Sequence, residues 1–250
     1  MVALQIVQKC NARVATIPQP LVALFIGATS GICHGALQNF VQYASSPRIY
    51  SVSRPHAVAA HENMLASLRK SNPTANYSVI SADASLVSEI DKVVNVIKQK
   101  ETKLDILFMS MGTMAFEGRM ETPEGLEASM STRYYSRLRA LHQLLPLLNN
   151  PAVPSPRVVW VLAGGMEGPI DEGDLDQRNP DNWSFWGPSV HAATMSTLSL
   201  ELLARENPRL SIVHWFPGPV SSPGLARAIS SVWRNQTQGA RTRQGRAICS

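Results

Sequence analysis

Short apolar runs alternate with longer stretches of helical period through most of this chain, and few folds accept that rhythm. The runs Leu21–Ile26, Arg48–Val52, Tyr77–Ala82, Leu104–Ser110, Val158–Ala163 and Ser211–Phe216 read as strands. Between them, Gly31–Ala44, His56–Ser71, Ser85–Lys100, Gly125–Leu148 and Ser189–Glu206 read as helices. Strands separated by helices form parallel βαβ units. Six of them give a single doubly wound α/β sheet, order 3-2-1-4-5-6, with helices on both faces. Ligands then bind beyond the carboxyl ends of the strands at the central switch point, so function belongs in the strand-to-helix loops.

At 250 residues the chain suits one large domain. We expect an N-terminal extension over 1–19, the α/β domain over 20–224 and a short irregular basic tail over 225–250. No apolar run approaches the roughly 18 residues that span a bilayer, so no membrane partner is expected. The N-terminus carries no basic region ahead of an apolar run and reads as a cytoplasmic start. Cys10, Cys33 and Cys249 are odd in number and widely spaced, which speaks against disulfides and a structural metal. The net charge of +5 owes much to Arg234, Arg241, Arg243 and Arg246 near the end. No aromatic interleaving accompanies them, so they read as a solvated tail and not as a nucleic-acid surface.

After the first strand comes Gly27-Ala-Thr29-Ser30-Gly31-Ile32-Cys33, opening a helix. Glycines let the backbone turn tightly, and the amides of the helix N-terminus then face a pyrophosphate, where the helix dipole favours negative charge. This turn resembles the GxxxGxG motif of the short-chain dehydrogenases/reductases, and the resemblance runs over residues 20–224 of a Rossmann-like domain. The third glycine is replaced by Cys33, which is either a thiol activated at a helix N-terminus or a buried packing residue. Arg54 follows the second strand where no acid stands to accept ribose hydroxyls; the resemblance implies that it meets the 2′-phosphate of NADP, against an ordinary solvated arginine. Asp83 takes the place of the acid aimed at the adenine, and Ser110-Met111-Gly112 that of the Asn-Ala-Gly turn. Pro217-Gly218-Pro-Val220 resembles the segment that touches the nicotinamide.

The resemblance fails where the chemistry sits. The family uses a Tyr, a Lys, a Ser and an Asn; here Ser189, Ala193, Ala163 and Arg133 hold those places. An alanine relays no proton, and a lone serine is a poor acid. Reduction of an iminium needs no proton donor, only an acid against the cation. Arg133 for Asn further resembles a branch of filamentous-fungal reductases that reduce an iminium and template a Diels–Alder cyclisation. That resemblance implies Arg133 as catalytic and an acid among Glu167, Asp171 and Glu172, with Glu167 preferred. Arg133 is alternatively an ion-pair partner of Glu127 or Asp105. His191 is a third catalytic candidate, or a packing histidine. Trp183 and Trp186, in the long loop Gly164–Pro188, either wall a substrate pocket or anchor the loop.

About 27 residues follow Pro223, without apolar period, where related chains continue into a substrate lid. Three functions are therefore carried: an NADP-dependent oxidoreductase acting on a small organic metabolite of fungal secondary metabolism by a nonstandard route such as iminium reduction; a non-redox cyclase or isomerase; and an inactive nucleotide-binding protein. The family pairs its copies through the two long helices near 125–148 and 189–206, implying a homodimer or homotetramer.

Overall fold

The computed structural model describes residues 3–18, 20–113, 118–184, 186–218, 220, 221 and 226. Apart from residue 226, the basic tail expected over 225–250 lies outside them.

Six strands form one parallel sheet: β1 (Val22–Ile26), β2 (Arg48–Ser53), β3 (Asn76–Ser81), β4 (Ile106–Met109), β5 (Arg157–Val161) and β6 (Ser211–Trp215). Their order is β3-β2-β1-β4-β5-β6, with the switch point between β1 and β4 as expected. The strands start and stop within three residues of the sequence reading. β1 is buried along its whole length, so its alternating side chains feed two cores. Ala23 and Phe25 pack with Cys33, Leu37 and Val41 of α2 (Gly31–Tyr43) and with Leu65 and Leu68 of α3 (Val58–Ser71). Val22, Leu24 and Ile26 enter a second core built on three further helices: α4 (Val87–Lys100), α6 (Ser136–Leu148) and α7 (Gly187–Glu206). α4 shows why the helical period was readable. Ile90, Val93, Val94 and Ile97 fall at i, i+3, i+4 and i+7 and are all fully buried, each contributing about 1.5–3 kcal/mol.

Two helices depart from the sequence reading. The N-terminal extension holds α1 (Leu4–Ala12), none of whose residues is buried, so no apolar face marked it. The helix expected over Gly125–Leu148 is in three parts: the short α5 (Ala128–Met130), a π-helical turn over Ser131–Tyr135, and α6. Glu127 caps α5, its carboxylate accepting the Met130 amide at 2.7 Å. A π-turn widens the helix by one residue per turn, and such turns are frequent at functional sites. This one carries Arg133.

β6 is the outer strand of the sheet. No strand among the described residues pairs with its far edge, and Val213 and Trp215 are each nearly half exposed.

Candidate functional site

The glycine turn is pressed onto the end of β4. Gly27 has φ +100°, and a Cβ built on it would lie 2.7 Å from the Met111 amide nitrogen. Only glycine fits there. Thr29, Ser30, Gly31 and Ile32 complete the turn, and Ser30 makes no side-chain cap to α2, leaving the first amides of that helix to a ligand. Cys33 is fully buried beneath the turn, where burial raises its thiol pKa well above the ordinary value despite a hydrogen bond with Ser110. It is a packing residue.

Arg54 and Asp83 meet at the ends of β2 and β3, Nε to Oδ1 at 3.5 Å, both about half exposed. Burial pushes the Asp83 carboxyl up, but two hydrogen bonds from Ser85 and the charges of Arg54 and His56 outweigh it and hold the group below its ordinary range. Ser110, Met111 and Gly112 turn beside the glycine loop, Met111 buried and Gly112 exposed. Pro217, Gly218 and Val220 follow β6, all partly exposed, with Gly218 at φ +74°.

These positions form a cradle that a dinucleotide fits: a backbone surface that a Cβ would fill, an open helix N-terminus and a guanidinium at the end of β2.

The π-turn brings Arg133 to α7, where its guanidinium donates to the Ser189 hydroxyl. The Asn and Tyr places of the family pattern are thus in contact, filled by Arg and Ser. Burial lowers the Arg133 pKa, and the Glu127 charge opposes that fall. Glu127 is itself wholly buried, and burial raises its carboxyl pKa against the Met130 and Ser129 amides and Arg133. Asp105, the other acid considered for Arg133, serves elsewhere, accepting the Val22 amide and pairing with Lys103. Ala163 and Ala193 offer nothing to a proton; Ala193 is fully buried.

The other catalytic candidates do not join Arg133. Glu167 accepts from Thr197 and the Gly165 amide and stands 3.9 Å from His214. Thr197 lies eight residues beyond Ser189, about 12 Å along the helix. His191 is two positions from Ser189, so it points roughly 200° round the helix. There it is buried under the long loop, its Nε2 accepting the Asp171 amide at 3.3 Å. With Pro169, Ile170, Asp171, Gln177 and Asn182 it lines a separate 330 Å³ cavity. Neither tryptophan lines that cavity: Trp186 is 67% exposed and Trp183 partly buried. The long loop is tied down at its middle instead. Asp176 accepts from Arg119, Arg178 and the Glu127 amide, bracing the residue that caps the Arg133 segment.

Sequence reasoning missed Arg137. It is 1% exposed and donates to the carbonyls of Thr132 (3.2 Å), Val161 (2.8 Å) and Met111, with Met109 at 3.5 Å and the Trp160 ring centroid 5.5 Å away. The signal was there: Arg137 shares the buried stripe of Ala140, Leu141, Leu144 and Leu148. Among the described residues no group of three His, Cys, Asp or Glu is placed to hold a metal, and no helix is long and apolar enough to cross a membrane.

Sheet order, glycine turn and switch-point cradle define a doubly wound protein of the dinucleotide-binding kind. Comparison with known proteins narrows the class. No family model matches the chain. It is 63% identical over 228 residues to the NmrA-like family domain-containing oxidoreductase notO of Aspergillus sp. (strain MF297-2), covering 91% of this chain and 68% of that one. To the short-chain dehydrogenase/reductase SAT2 of Stachybotrys chartarum it is 34% identical, covering 88% and 67%. The chain thus spans about two thirds of the length of these curated relatives. Among solved structures, the Pseudomonas aeruginosa RhlG/NADP active-site complex superposes with a TM-score of 0.63 at 22% identity, over 84% of this chain and 77% of that one. L-sorbose reductase from Gluconobacter frateurii, complexed with NADPH and L-sorbose, gives 0.61 at 17% identity over 82% and 72%. The chain belongs to the short-chain dehydrogenase/reductase superfamily.

Proposed function

We propose that this protein is an NADP-dependent oxidoreductase that reduces a polarised double bond in a small organic metabolite, with an Arg133–Ser189 pair in the places of the family's Asn and Tyr. The contact between the Arg133 guanidinium and the Ser189 hydroxyl carries the reading. The names of its relatives support the oxidoreductase class, and the bound NADP and NADPH of its structural neighbours support the cofactor. The fungal origin of the relatives is consistent with a secondary metabolite as substrate.

NADPH, when bound, supplies the hydride. The amides of α2 would hold the pyrophosphate, Arg54 the 2′-phosphate, and Ser110, Met111, Gly112, Pro217, Gly218 and Val220 the nicotinamide half. Because Arg133 donates to Ser189 Oγ, the serine hydrogen is free to point at a substrate oxygen. A fixed guanidinium behind that donor stabilises negative charge developing on the oxygen, which water then protonates. The acceptor favoured by these groups is a neutral carbonyl. An iminium would want an anion beside it, whereas Glu167 is tied to Thr197 and His214, and Glu127 has its pKa raised by burial.

A panel of carbonyl and iminium compounds with NADPH consumption as readout tests this. Arg133→Met should lower kcat by about 10²–10³ while the variant still binds NADPH, as for removal of an oxyanion donor. Full turnover by that variant, or no consumption with any compound despite cofactor binding, sinks the proposal. We further propose that copies pair through α6 and α7, where Leu198 and Leu202 are each more than half exposed.

A further inference from the structure

Arg137 is a cation sealed inside the domain with no carboxylate against it. Among the described residues no salt bridge includes it. Its donors are met by carbonyl oxygens and its face by Trp160. Desolvating an ion without a counter-ion is costly, so the placement needs a reason beyond packing. The carbonyls it holds supply one. Met109 ends β4 and Val161 ends β5, while Met111 belongs to the turn against Gly27. In a doubly wound fold the carboxyl ends on this side of the switch point face the nicotinamide half of the dinucleotide.

Resting on the dinucleotide reading above, we propose that Arg137 sets the preference of the site for the reduced over the oxidised nicotinamide. The two forms share adenosine, phosphates and riboses and differ by one positive charge on the ring. A ring bound over the ends of β4 and β5 would lie on the carbonyls that Arg137 holds, and a buried guanidinium there would oppose the charged form in a medium that screens poorly. Arg133 adds charge of the same sign. Burial and the Arg133 charge push the Arg137 pKa down to about 9, with Cys33 opposing, so the group stays cationic at neutral pH. Its carbonyl bonds fix the Met111 turn as well, so the same side chain positions the cofactor bed and sets its electrostatic sign. The family pattern places its Lys on α7; here that place is Ala193, and cationic charge comes from the π-turn and α6 instead.

The test compares dissociation constants of NADPH, NADP⁺ and 2′,5′-ADP, a fragment without nicotinamide, for the full chain and its Arg137→Met, Arg137→Gln and Arg137→Lys variants. The wild type should hold NADPH about tenfold or more tighter than NADP⁺, equivalent to about 30 mV in the bound two-electron couple. The neutral variants should bring the ratio close to one, Lys should keep it, and fragment affinity should stay put. A wild-type ratio near one, or an unchanged ratio in a folded neutral variant, overturns the proposal. If the neutral variants do not fold, loss of the preference in Arg137→Lys overturns it too. Failure to bind any of the three ligands overturns the dinucleotide reading, an outcome distinct from equal binding of both dinucleotides.

Discussion

Replacing Gly27 with alanine would set a methyl group 2.7 Å from the Met111 amide nitrogen and 3.0 Å from the Ser110 carbonyl carbon, both backbone atoms that cannot swing aside. The residue would also have to keep φ near +100°. Such a conformation costs an L-residue about 1–2 kcal/mol, and overpacking against a fixed neighbour adds about 1–3 kcal/mol. The expected loss is therefore about 2–5 kcal/mol, or roughly 5–15 °C in Tm for a domain of this size. Gly35 is the matched control: it lies inside α2 with nothing within 4 Å of a built Cβ. Gly35→Ala should gain about 0.5–1 kcal/mol from helix propensity. Urea unfolding followed by tryptophan fluorescence reads both, and a titration with NADPH reads the turn. Gly27→Ala should weaken NADPH binding as the 110–112 turn is pushed off its bed, while Gly35→Ala should leave it unchanged. Equal stability of the two variants, or undiminished cofactor affinity in Gly27→Ala, would refute the argument that the turn is locked against β4.

Arg54→Ala should cut NADPH affinity more than tenfold while leaving NADH nearly untouched, since one charge-assisted phosphate contact is worth about 1.5–3 kcal/mol; parallel losses for both cofactors would exclude a 2′-phosphate role. Burial pushes the His61 and His214 imidazoles below the ordinary histidine range, with Glu62 and Glu167 respectively opposing. The unfolded chain takes those protons near pH 6.5 and the folded chain only at lower pH, so stability should be level between about pH 7 and 8 and fall as pH drops below 6.5. Urea midpoints across pH 5–8 check this, and His61→Gln should flatten the slope. Leu202→Glu should lower the mass seen by light scattering if copies pair through α7, and an unchanged mass would place the contact elsewhere.

The fold was legible because alternation of strand and helix leaves marks in apolar spacing: β1 through β6 and the sheet order follow from it. α1 left no such mark, having no buried face. Half of the site was legible for a related reason. Gly27, Arg54, Asp83 and the 110–112 turn follow strand ends, so finding the strands finds them. The family pattern set Arg133 and Ser189 in the Asn and Tyr places, but their contact was not legible, since the π-turn that delivers it differs little in sequence from ordinary helix. Glu167 and His191 fell elsewhere because their positions depend on how the long loop lies across α7, and Thr197, Thr194 and Asp176 decide that through contacts distant in sequence. Arg137 escaped because a charged residue in a helix reads as solvated unless its apolar neighbours at i+3, i+4 and i+7 are weighed.

Asp176 gives the long loop a pin at its centre in addition to its two hinges. Arg178 belongs to the pin, whereas side-chain changes over 179–184 remove none of the contacts of Asp176. The cavity beside His191 draws on both sides of the pin, on Pro169, Ile170 and Asp171 before it and on Gln177 and Asn182 after it, so the pin fixes the two halves of its wall against each other.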